Sequence, residues 1–420
     1  MRARHVLAIL VLSAMFAGAQ VDARASARLV TNRGPTAQLT YSVATHFEPT
    51  SVTFISIRTA WAIGTEACGS NRTCVALRET TDGGRTWFDV ALGASLSKAV
   101  DHDVGGFSAA TYGDAGLNVR FANTRDGWIY GTLAATVTQG SQSYVADVPR
   151  MWSTHDGGLT WRPQALTWVA RQGSIYDLEA ANGVVYVMAQ NKSFGATVES
   201  SPVGQDNWRA SNTVALGSPA GGGQPTGAIV LKGSSGWLVE GNDRANTGSA
   251  RLARDGRWVA WTPPCASVGG GLAVPAAASA RNLVAMCGMG GFASPLPSSA
   301  PRGAAIGSSW LYSSRNGGTT FTIGSELTPV KANLSFGNFA GVLASPRPGE
   351  LLVGRSVGRR EQLIASFDGG VRWRVVYYGR LSYLGFTSAA QGVALVQGAN
   401  GNNSMIMTYD GGRRWVPVSF

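Results

Sequence analysis

The chain has 420 residues, of which 44% are hydrophobic and 14% charged, with 55 glycines, 13 tryptophans and a formal net charge of +11. This apolar fraction excludes an intrinsically disordered protein, and no apolar run reaches the roughly 18 to 20 residues that a membrane-spanning helix needs. Few charges and many glycines favour short strands joined by tight turns. The basic residues are mostly arginine and are dispersed along the chain, with no run of five or more.

The N-terminal residues have the pattern of a secretory signal peptide. Arg2 and Arg4 precede an apolar stretch at 6–18, and small residues suited to cleavage follow it. This order of charge, apolar core and small residues is typical of exported proteins. We therefore expect a secreted or extracytoplasmic protein whose mature net charge is +9. The expected organisation is a signal peptide at 1–25, a flexible lead segment at 26–38 and one folded domain at 39–420.

Four cysteines remain after the signal peptide. In an oxidising compartment an even number of cysteines predicts disulfides. Cys68 and Cys74 are six residues apart between two apolar segments, and Cys265 and Cys287 form the natural second pair. This local pairing is one of three possible connectivities. A zinc site is disfavoured because no C-x-x-C spacing exists and the four histidines are scattered.

One phrase recurs along the chain in five clear copies and defines a repeat. Two weaker copies end at Trp208 and Trp258, so the chain has seven units spaced about 55 residues apart. The five clear copies are TTDGGRTW at 80–87, STHDGGLTW at 153–161, SSRNGGTTF at 313–321, SFDGGVRW at 366–373 and TYDGGRRW at 408–415.

A second signature precedes the repeated phrase in several units, as in VTFISIRTAWAIG at 52–64 and VRFANTRDGWIYG at 119–131. Each unit is interpreted as an inner strand, a turn, a second strand, a loop, a third strand, the Asp-Gly-Gly turn and a fourth strand. Four strands per unit at this spacing predict an all-β fold, a seven-bladed β-propeller of four-stranded antiparallel blades. The segment YSVATHF at 41–47 is a candidate strand for closing the ring on the last blade.

The repeated phrase has the chemistry of a structural turn. An Asp side chain accepts hydrogen bonds from nearby backbone N–H groups, and Gly provides the positive φ of a tight turn. The aromatic residue after the turn offers a large apolar surface to bury between sheets. We therefore expect structural and not catalytic roles for the residues at the two ends of the five clear copies: Asp82, Trp87, Asp156, Trp161, Asn316, Phe321, Asp368, Trp373, Asp410 and Trp415.

These phrases resemble the Asp-box (BNR) repeat, S-x-D-x-G-x-T-W. Together with the upstream Gly-Trp strands, they resemble the bacterial propellers similar to photosystem II assembly factors and the sialidase superfamily. The resemblance covers about residues 40–420. It implies a propeller with Asp-box turns, but it is weak for function because function depends on the site and not on the scaffold.

A sialidase-type enzyme would require three arginines around the substrate carboxylate, a Tyr nucleophile with a nearby Glu, and an acidic residue. Members of that family usually carry an F/Y-R-I-P phrase near the mature N-terminus, whereas this chain has VTFISIRTAW, with Arg58 in a predicted turn. No G-x-S-x-G phrase is present either. The preferred hypothesis is a non-catalytic binding or assembly scaffold, and the alternative is an exo-glycosidase of sialidase type.

Three charged residues on predicted inner strands are the candidate binding residues. Arg120 and Asp177 occupy equivalent positions of adjacent units if Phe121 and Leu178 are the matching core residues. Asp177 and Glu179 share one strand face because side chains alternate with period two. As a functional hypothesis the three form a polar site in the central channel. The alternative, which the sequence favours, is a structural pair of Arg120 with Asp177 and a solvated Glu179.

The remaining sequence features concern bound ions, cofactors and macromolecular partners. Asp101, His102 and Asp103 are adjacent on a predicted loop, and we interpret them as a solvated segment and not as a cation site. No cofactor or metal is expected. The partner is expected to be a protein or glycan and not nucleic acid, and the basic character indicates association of a monomer with an anionic cell surface.

Overall fold

We describe the fold from a computed structural model. The residues described are 47–68, 73–93, 96–97, 116–139, 141–166, 174–191, 195–211, 216–217, 226–241, 246–267, 273–288, 309–327, 343–357, 360–398 and 401–420. All of them belong to one structural unit, residues 42–420.

The described residues form seven four-stranded antiparallel sheets, the blades of a β-propeller, as the repeats predict. Blade 1 contains β1 (Glu48–Phe54), β2 (Ala60–Ala67), β3 (Thr73–Thr80) and β4 (Phe88–Val90). Blade 2 contains β5 (Asn118–Phe121), β6 (Gly127–Gln139), β7 (Gln142–Thr154) and β8 (Arg162–Pro163). Blade 3 contains β9 (Ile175–Ala181), β10 (Val184–Gln190), β11 (Ala196–Pro202) and β12 (Arg209–Ala210).

The remaining four blades follow in chain order. Blade 4 contains β13 (Thr226–Lys232), β14 (Ser235–Gly241), β15 (Asn246–Leu252) and β16 (Trp258–Ala260). Blade 5 follows a short 3₁₀ helix (Pro264–Ser267) and contains β17 (Ala273–Ala277), β18 (Leu283–Gly288), β19 (Ser309–Ser314) and β20 (Thr322–Leu327). Blade 6 contains β21 (Leu343–Ala344), β22 (Leu351–Val357), β23 (Arg360–Ser366) and β24 (Arg374–Tyr378), and blade 7 contains β25 (Arg380–Phe386), β26 (Gly392–Gln397), β27 (Asn403–Thr408) and β28 (Val416–Pro417).

The strands of a blade differ in burial according to their distance from the centre. Second strands such as β10 and β26 are buried almost throughout, because neighbouring blades cover both faces, and they are accordingly continuous apolar runs. Fourth strands are short and exposed, as in β8, β12 and β28. Their arginine and proline content protects the outer edge from pairing with other chains.

The hydrophobic core lies between blades. One cluster joins blades 1 and 2 around Trp61 and Trp161, and the next joins blades 2 and 3 around Trp128. A third joins blades 3 and 4 around Trp258. The tryptophans that the sequence places in second strands and after turns are therefore the residues that hold neighbouring blades together.

The Asp-Gly-Gly turns connect third and fourth strands and are built by their own side chains. In blade 1, Asp82 Oδ1 accepts hydrogen bonds from the backbone N–H groups of Arg85 and Thr86 at 2.9 and 3.0 Å, and Thr86 Oγ1 donates to Asp82 Oδ2 at 2.6 Å. The backbone N–H of Gly84 donates to Thr80 Oγ1 at 3.0 Å. Burial by itself would raise the pKa of Asp82, but the hydrogen bonds that the Asp82 carboxylate accepts lower it to about 2.

Each clear copy of the turn also packs against other parts of the propeller. The first glycine donates its N–H to a carbonyl in the turn between the first and second strands of its own blade, as Gly83 does to Arg58 at 2.8 Å. The second glycine has a positive φ and lies against the preceding blade, as Gly318 does against Trp237 and Trp261 of blade 4. A side chain at this second position would lie between two blades.

Within the described residues, the ring closes without exchange of a strand, because each blade is one contiguous stretch of chain. Phe47 before β1 packs on the C-terminal residue Phe420, with ring centroids 4.6 Å apart, and Phe420 also lies 5.2 Å from the Trp87 ring. The buried guanidinium of Arg78 stands 4.6 Å from the Phe47 centroid and pairs with Glu66 at 2.8 Å. These contacts form the closing seam, which joins blades 7 and 1 through side chains.

Two hydrogen bonds extend the closing seam to the turns. Gln391 Nε2 donates to the carbonyl of Ile57 at 3.0 Å, and the Tyr409 hydroxyl donates to the carbonyl of Gly83 at 3.0 Å. Of the segment 41–47 that the sequence offers as a closing strand, only Phe47 lies within the described residues. Phe47 contributes its ring to the seam, and blade 7 is completed by the C-terminal β28.

Both disulfides expected from the sequence are present. Cys68 bonds Cys74 after β2, with Cα atoms 5.7 Å apart, and Cys265 bonds Cys287 of β18, with Cα atoms 5.2 Å apart. No free cysteine remains in the chain.

The closing seam gives the first testable prediction. Phe420→Ala should lower the free energy of unfolding by about 2 kcal/mol, because this half-buried ring contributes less than the roughly 3–5 kcal/mol of a fully buried phenylalanine. Val416→Ala, at an exposed position of β28, is the matched control and should change stability by less than about 0.5 kcal/mol. Guanidinium unfolding measures both, and equal losses would contradict a role of Phe420 in closure.

The turn geometry gives the second prediction. Gly318 and Gly369 have φ of 82° and 78°, but only Gly318 lacks space for a Cβ. Gly369→Ala should lower the free energy of unfolding by about 1 kcal/mol, because alanine disfavours this positive φ. Gly318→Ala should lower it by about 2–3 kcal/mol, because the added methyl group contacts Leu283 and two indole rings. Thermal and chemical unfolding compare the two variants, and a cost that is no larger for Gly318→Ala would contradict the packing of turns between blades.

Candidate functional site

The structure brings the three candidate channel residues together between blades 2 and 3. Arg120 lies on the inner strand β5, and Asp177 and Glu179 lie on the neighbouring inner strand β9. Arg120 Nη2 forms an ion pair with Glu179 Oε1 at 2.8 Å, and Arg120 Nε donates to the carbonyl of Leu178 at 3.1 Å. The side chains of Arg120 and Glu179 are only 16% and 26% exposed.

This arrangement differs from the structural pair that the sequence favours. Arg120 pairs with Glu179, which is therefore not a freely solvated carboxylate. Asp177 instead accepts hydrogen bonds from two backbone N–H groups, that of Leu178 at 2.9 Å and that of Ile229 at 2.8 Å. Ile229 belongs to β13, so Asp177 joins the inner strands of blades 3 and 4. The period-two pattern places Asp177 and Glu179 on one face but does not determine which of them Arg120 reaches.

Burial dominates the electrostatics of this group. Burial raises the pKa of Glu179 to about 7; the positive charge of Arg120 opposes the rise and the charge of Asp177 adds to it. Burial also raises the pKa of Asp177, against the influence of Arg120 and of the two backbone N–H groups. Burial lowers the pKa of Arg120, but Glu179, the tyrosines Tyr383 and Tyr130, and Asp177 together outweigh burial and raise this pKa well above its ordinary value. Glu179 is therefore a weaker acid than an exposed glutamate, while Arg120 stays charged.

Two tyrosines complete the polar group and were not identified from the sequence. Tyr130 on β6 is buried beside Asp177, and burial together with the charge of Asp177 raises its pKa. Tyr383 lies on β25 of blade 7 and contributes to the electrostatic environment of Arg120. Period-two alternation from Trp128 could have placed Tyr130 on the face toward blade 3, but no local pattern links Tyr383 to Arg120.

A second charged group lies on the turn side of blades 2 and 3. His155, inside the Asp-Gly-Gly turn of blade 2, contacts Asp126 through Nδ1 at 2.8 Å and Asp206 of blade 3 through Nε2 at 3.0 Å. Asp206 also accepts hydrogen bonds from Ser153 at 2.6 Å and Gln164 at 2.9 Å. Burial lowers the pKa of His155, but the bonds to the two carboxylates outweigh it and raise the pKa above 6.5.

An open cavity of about 330 Å³ lies where blades 6 and 7 meet. Phe367 lines this cavity, and the guanidinium groups of Arg413 and Arg374 stand 4.2 and 4.9 Å from the Phe367 ring centroid. Arg413 also reaches Glu350 at 3.3 Å. The cavity is therefore a shallow, basic, aromatic surface at the rim of the propeller.

The structure limits other kinds of site in the residues it describes. Within those residues, no three His, Cys, Asp or Glu side chains group together as metal ligands, and no helix is long and apolar enough to cross a membrane. The stretch Asp101, His102 and Asp103 lies outside the described residues.

Comparison with known proteins supports the class that the fold defines, a seven-bladed β-propeller. The chain is 10% identical to a prolyl endopeptidase over 90% of this chain and 48% of that chain, with a TM-score of 0.56. It is 14% identical to a puromycin-hydrolysing peptidase of Mycobacterium tuberculosis over 90% of this chain and 53% of that chain, with a TM-score of 0.52. YCF48 bound to D1 peptide is 19% identical over 88% of this chain and 95% of that chain, with a TM-score of 0.46.

These similarities concern the fold, and the chain spans about half the length of the two peptidases. No protein-family model matches the sequence, and no curated protein matches it either.

The charged group around His155 gives the third prediction. Because its pKa is higher in the folded than in the unfolded protein, protonated His155 stabilises the fold fully below about pH 6.5, and this stabilisation is lost as the pH rises through the folded-state pKa. His155→Gln should therefore lower the free energy of unfolding by roughly 1 kcal/mol at about pH 5.5 and by less at about pH 8.5. Urea unfolding of both proteins across this range measures the difference, and a cost independent of pH would contradict the prediction.

Proposed function

We propose that the chain is an exported, non-catalytic scaffold that binds a protein or glycan partner at the cell surface. The observation that carries this proposal is the partly buried ion pair of Arg120 and Glu179 on adjacent inner strands. Inner strands line the central channel of a propeller, where rigid side chains can present hydrogen-bonding groups to a ligand. Arg120 donates hydrogen bonds, and the Glu179 carboxylate accepts them. Such a pair suits the hydroxyl, amide and carboxylate groups of glycans and peptides.

The resemblance of the turns to Asp-box (BNR) repeats agrees with this proposal. Asp82 and its counterparts make the hydrogen bonds of a turn, so the repeat accounts for the scaffold and leaves recognition to the channel and the loops. Export from a signal peptide at 1–25, with a lead at 26–38 and the propeller at 39–420, is supported by the two disulfides. A monomer attracted to an anionic surface is the expected state.

An exo-glycosidase of sialidase type remains the alternative, because Arg120 has tyrosines and Glu179 beside it. That mechanism needs three arginines around one carboxylate. The inner strands within the described residues carry three basic side chains, Arg120, Lys232 and Arg380, and Arg380 is exposed and bonded to Gln397 at 3.0 Å. A single arginine near the tyrosines, in place of the three that the sialidase mechanism needs, supports the scaffold over the enzyme.

The fourth prediction tests the proposal with variants of the channel pair. The purified protein is cross-linked to its partner in the surface fraction of the exporting cell, and the captured partner is recovered. Arg120→Ala and Glu179→Ala should each reduce this recovery at least about tenfold, because the partly buried charged pair is lost. Arg209→Ala, at an exposed position of β12, is the matched control and should retain capture. Circular dichroism establishes that each variant is folded.

An enzymatic assay separates the two functions. The purified protein should not hydrolyse a fluorogenic sialoside. Turnover that disappears in Glu179→Gln would overturn the scaffold in favour of the glycosidase, and capture that is unchanged in both channel variants would contradict recognition through Arg120 and Glu179.

A further inference from the structure

The cavity between blades 6 and 7 carries more positive than negative charge. Three exposed arginines line it, Arg372, Arg374 and Arg413. The acidic residue of the lining is Asp368, whose carboxylate is held within its own turn by the backbone N–H of Arg372 at 2.9 Å. Among the residues that the structure describes, Arg374 forms no ion pair. The cavity can therefore accept an anion without first breaking a salt bridge of Arg374.

Phe367 brings two of these guanidinium groups together without using their hydrogen-bond donors. The guanidinium carbons of Arg413 and Arg374 stand over the Phe367 ring, at 4.2 and 4.9 Å from its centroid. A guanidinium over an aromatic ring makes this contact through its flat face, so the N–H groups at its edge stay available. Because both distances are measured to one centroid, the two guanidinium carbons lie no more than about 9 Å apart. One small ligand can therefore contact both groups.

Arg413 is also held in a fixed orientation. Its Nη1 donates to the backbone carbonyl of Asp410 at 2.9 Å, and its Nη2 donates to Glu350 Oε1 at 3.3 Å. The Glu350 side chain is only 10% exposed and belongs to the turn between β21 and β22. A side chain that is ordered before a ligand arrives loses less conformational entropy on binding. Arg413 is therefore a preorganised part of the cavity wall.

The repeated turn does not require this combination of residues. Phe367 precedes the Asp of its copy, and Arg374 follows the Trp. The copy in blade 7 has Tyr409 and Val416 at these two positions, and the copy in blade 1 forms its turn with Thr81 before the Asp. Of the five clear copies, that of blade 6 is the one with both an aromatic residue and an arginine at these positions. The pair is therefore not explained by the fold.

The outer strand of blade 6 disfavours an extended peptide as the ligand. β24 begins beside the cavity and could offer its free edge to another strand. Its pairing with β23 is irregular between Leu363 and Ile364, where Val376 is the extra residue. An edge strand with such a bulge is a poor template for a further strand. Recognition at this cavity therefore depends on side chains.

We propose that the cavity between blades 6 and 7 binds hexuronic acid residues of an acidic polysaccharide. The carboxylate of the sugar accepts hydrogen bonds from Arg374 and Arg413, because guanidinium groups match carboxylates in geometry and charge. The C–H face of the sugar ring packs against the half-buried rings of Phe367 and Trp373, which line the cavity. A volume of about 330 Å³ is that of a small ligand site. This second site is formed without the channel pair and goes beyond the function proposed above.

The fifth prediction is tested by titrating the full mature chain with tetragalacturonate. Calorimetry should give a dissociation constant of roughly 1 mM, because the site is shallow and holds a small ligand. Added salt should weaken the binding, since the arginines are exposed. Maltotetraose, which has similar sugar rings but no carboxylate, should bind at least about tenfold more weakly. Saturation-transfer NMR should show the ring C–H protons of the galacturonate in contact with the protein.

Variants of the arginines locate the site. Arg374→Ala should weaken tetragalacturonate binding about tenfold, and Arg374→Lys should restore only part of it, because lysine lacks the planar fork. Arg413→Ala is the second variant. Arg162→Ala and Arg85→Ala, at the equivalent positions of blades 2 and 1, are the matched controls and should keep the full affinity. Circular dichroism and Tm establish that each variant is folded.

Three results would overturn the proposal. The first is equal affinity for tetragalacturonate and maltotetraose, and the second is affinity that is unchanged in both Arg374→Ala and Arg413→Ala. The third is a tetraglutamate peptide that binds as tightly as tetragalacturonate, which would assign the cavity to acidic peptides.

The channel pair is tested separately from this cavity. Arg120→Ala should retain tetragalacturonate binding, because Arg120 lies on β5 of blade 2. Loss of binding in Arg120→Ala would move the sugar to the channel and would also overturn the proposal. Partner capture through the channel and sugar binding between blades 6 and 7 can therefore fail independently.

Discussion

The closing seam between blades 7 and 1 is the contact on which the rest of the propeller depends. In the part of the chain that the structure describes, the first and last blades exchange no strand, so the backbones of these blades form no shared sheet there. Closure comes instead from the packing of Phe47, Phe420 and Trp87, with the buried Arg78 over the Phe47 ring. If this seam opened, the inner faces of two blades would be exposed to water, and such apolar surface drives unfolding or aggregation.

The seams next to the five clear copies of the repeated phrase use a common device, in which the turn of one blade contacts the body of the preceding blade. The first glycine of a turn bonds the neighbouring turn of its own blade, and the second glycine fits against the preceding blade. At the closing seam the same device brings Gly84 close to Met407. The turn residues are therefore constrained by backbone conformation and by packing between blades, and this double constraint explains why one phrase recurs while the rest of each blade varies.

Charged groups between blades set the chemical character of the molecule. Arg120 and Glu179 pair with each other near the channel, and His155 joins two carboxylates at the boundary of blades 2 and 3. Glu240 is different, because no described residue forms a hydrogen bond with either of its buried carboxylate oxygens. The Arg120–Glu179 pair is partly exposed and suits contact with a partner, whereas Glu240 lies inside the fold.

The sequence by itself determined the architecture, because the features that specify a blade are local. Turn chemistry at Asp82 and Gly83, apolar second strands and the seven-fold spacing are all readable within about 50 residues, as are both disulfides. The tertiary structure alone decided contacts between distant residues. It paired Arg120 with Glu179 and not with Asp177, brought Tyr383 of blade 7 within electrostatic range of Arg120, and packed Phe420 on Phe47. These pairings depend on the relative rotation and spacing of whole blades, which no local pattern of side chains encodes.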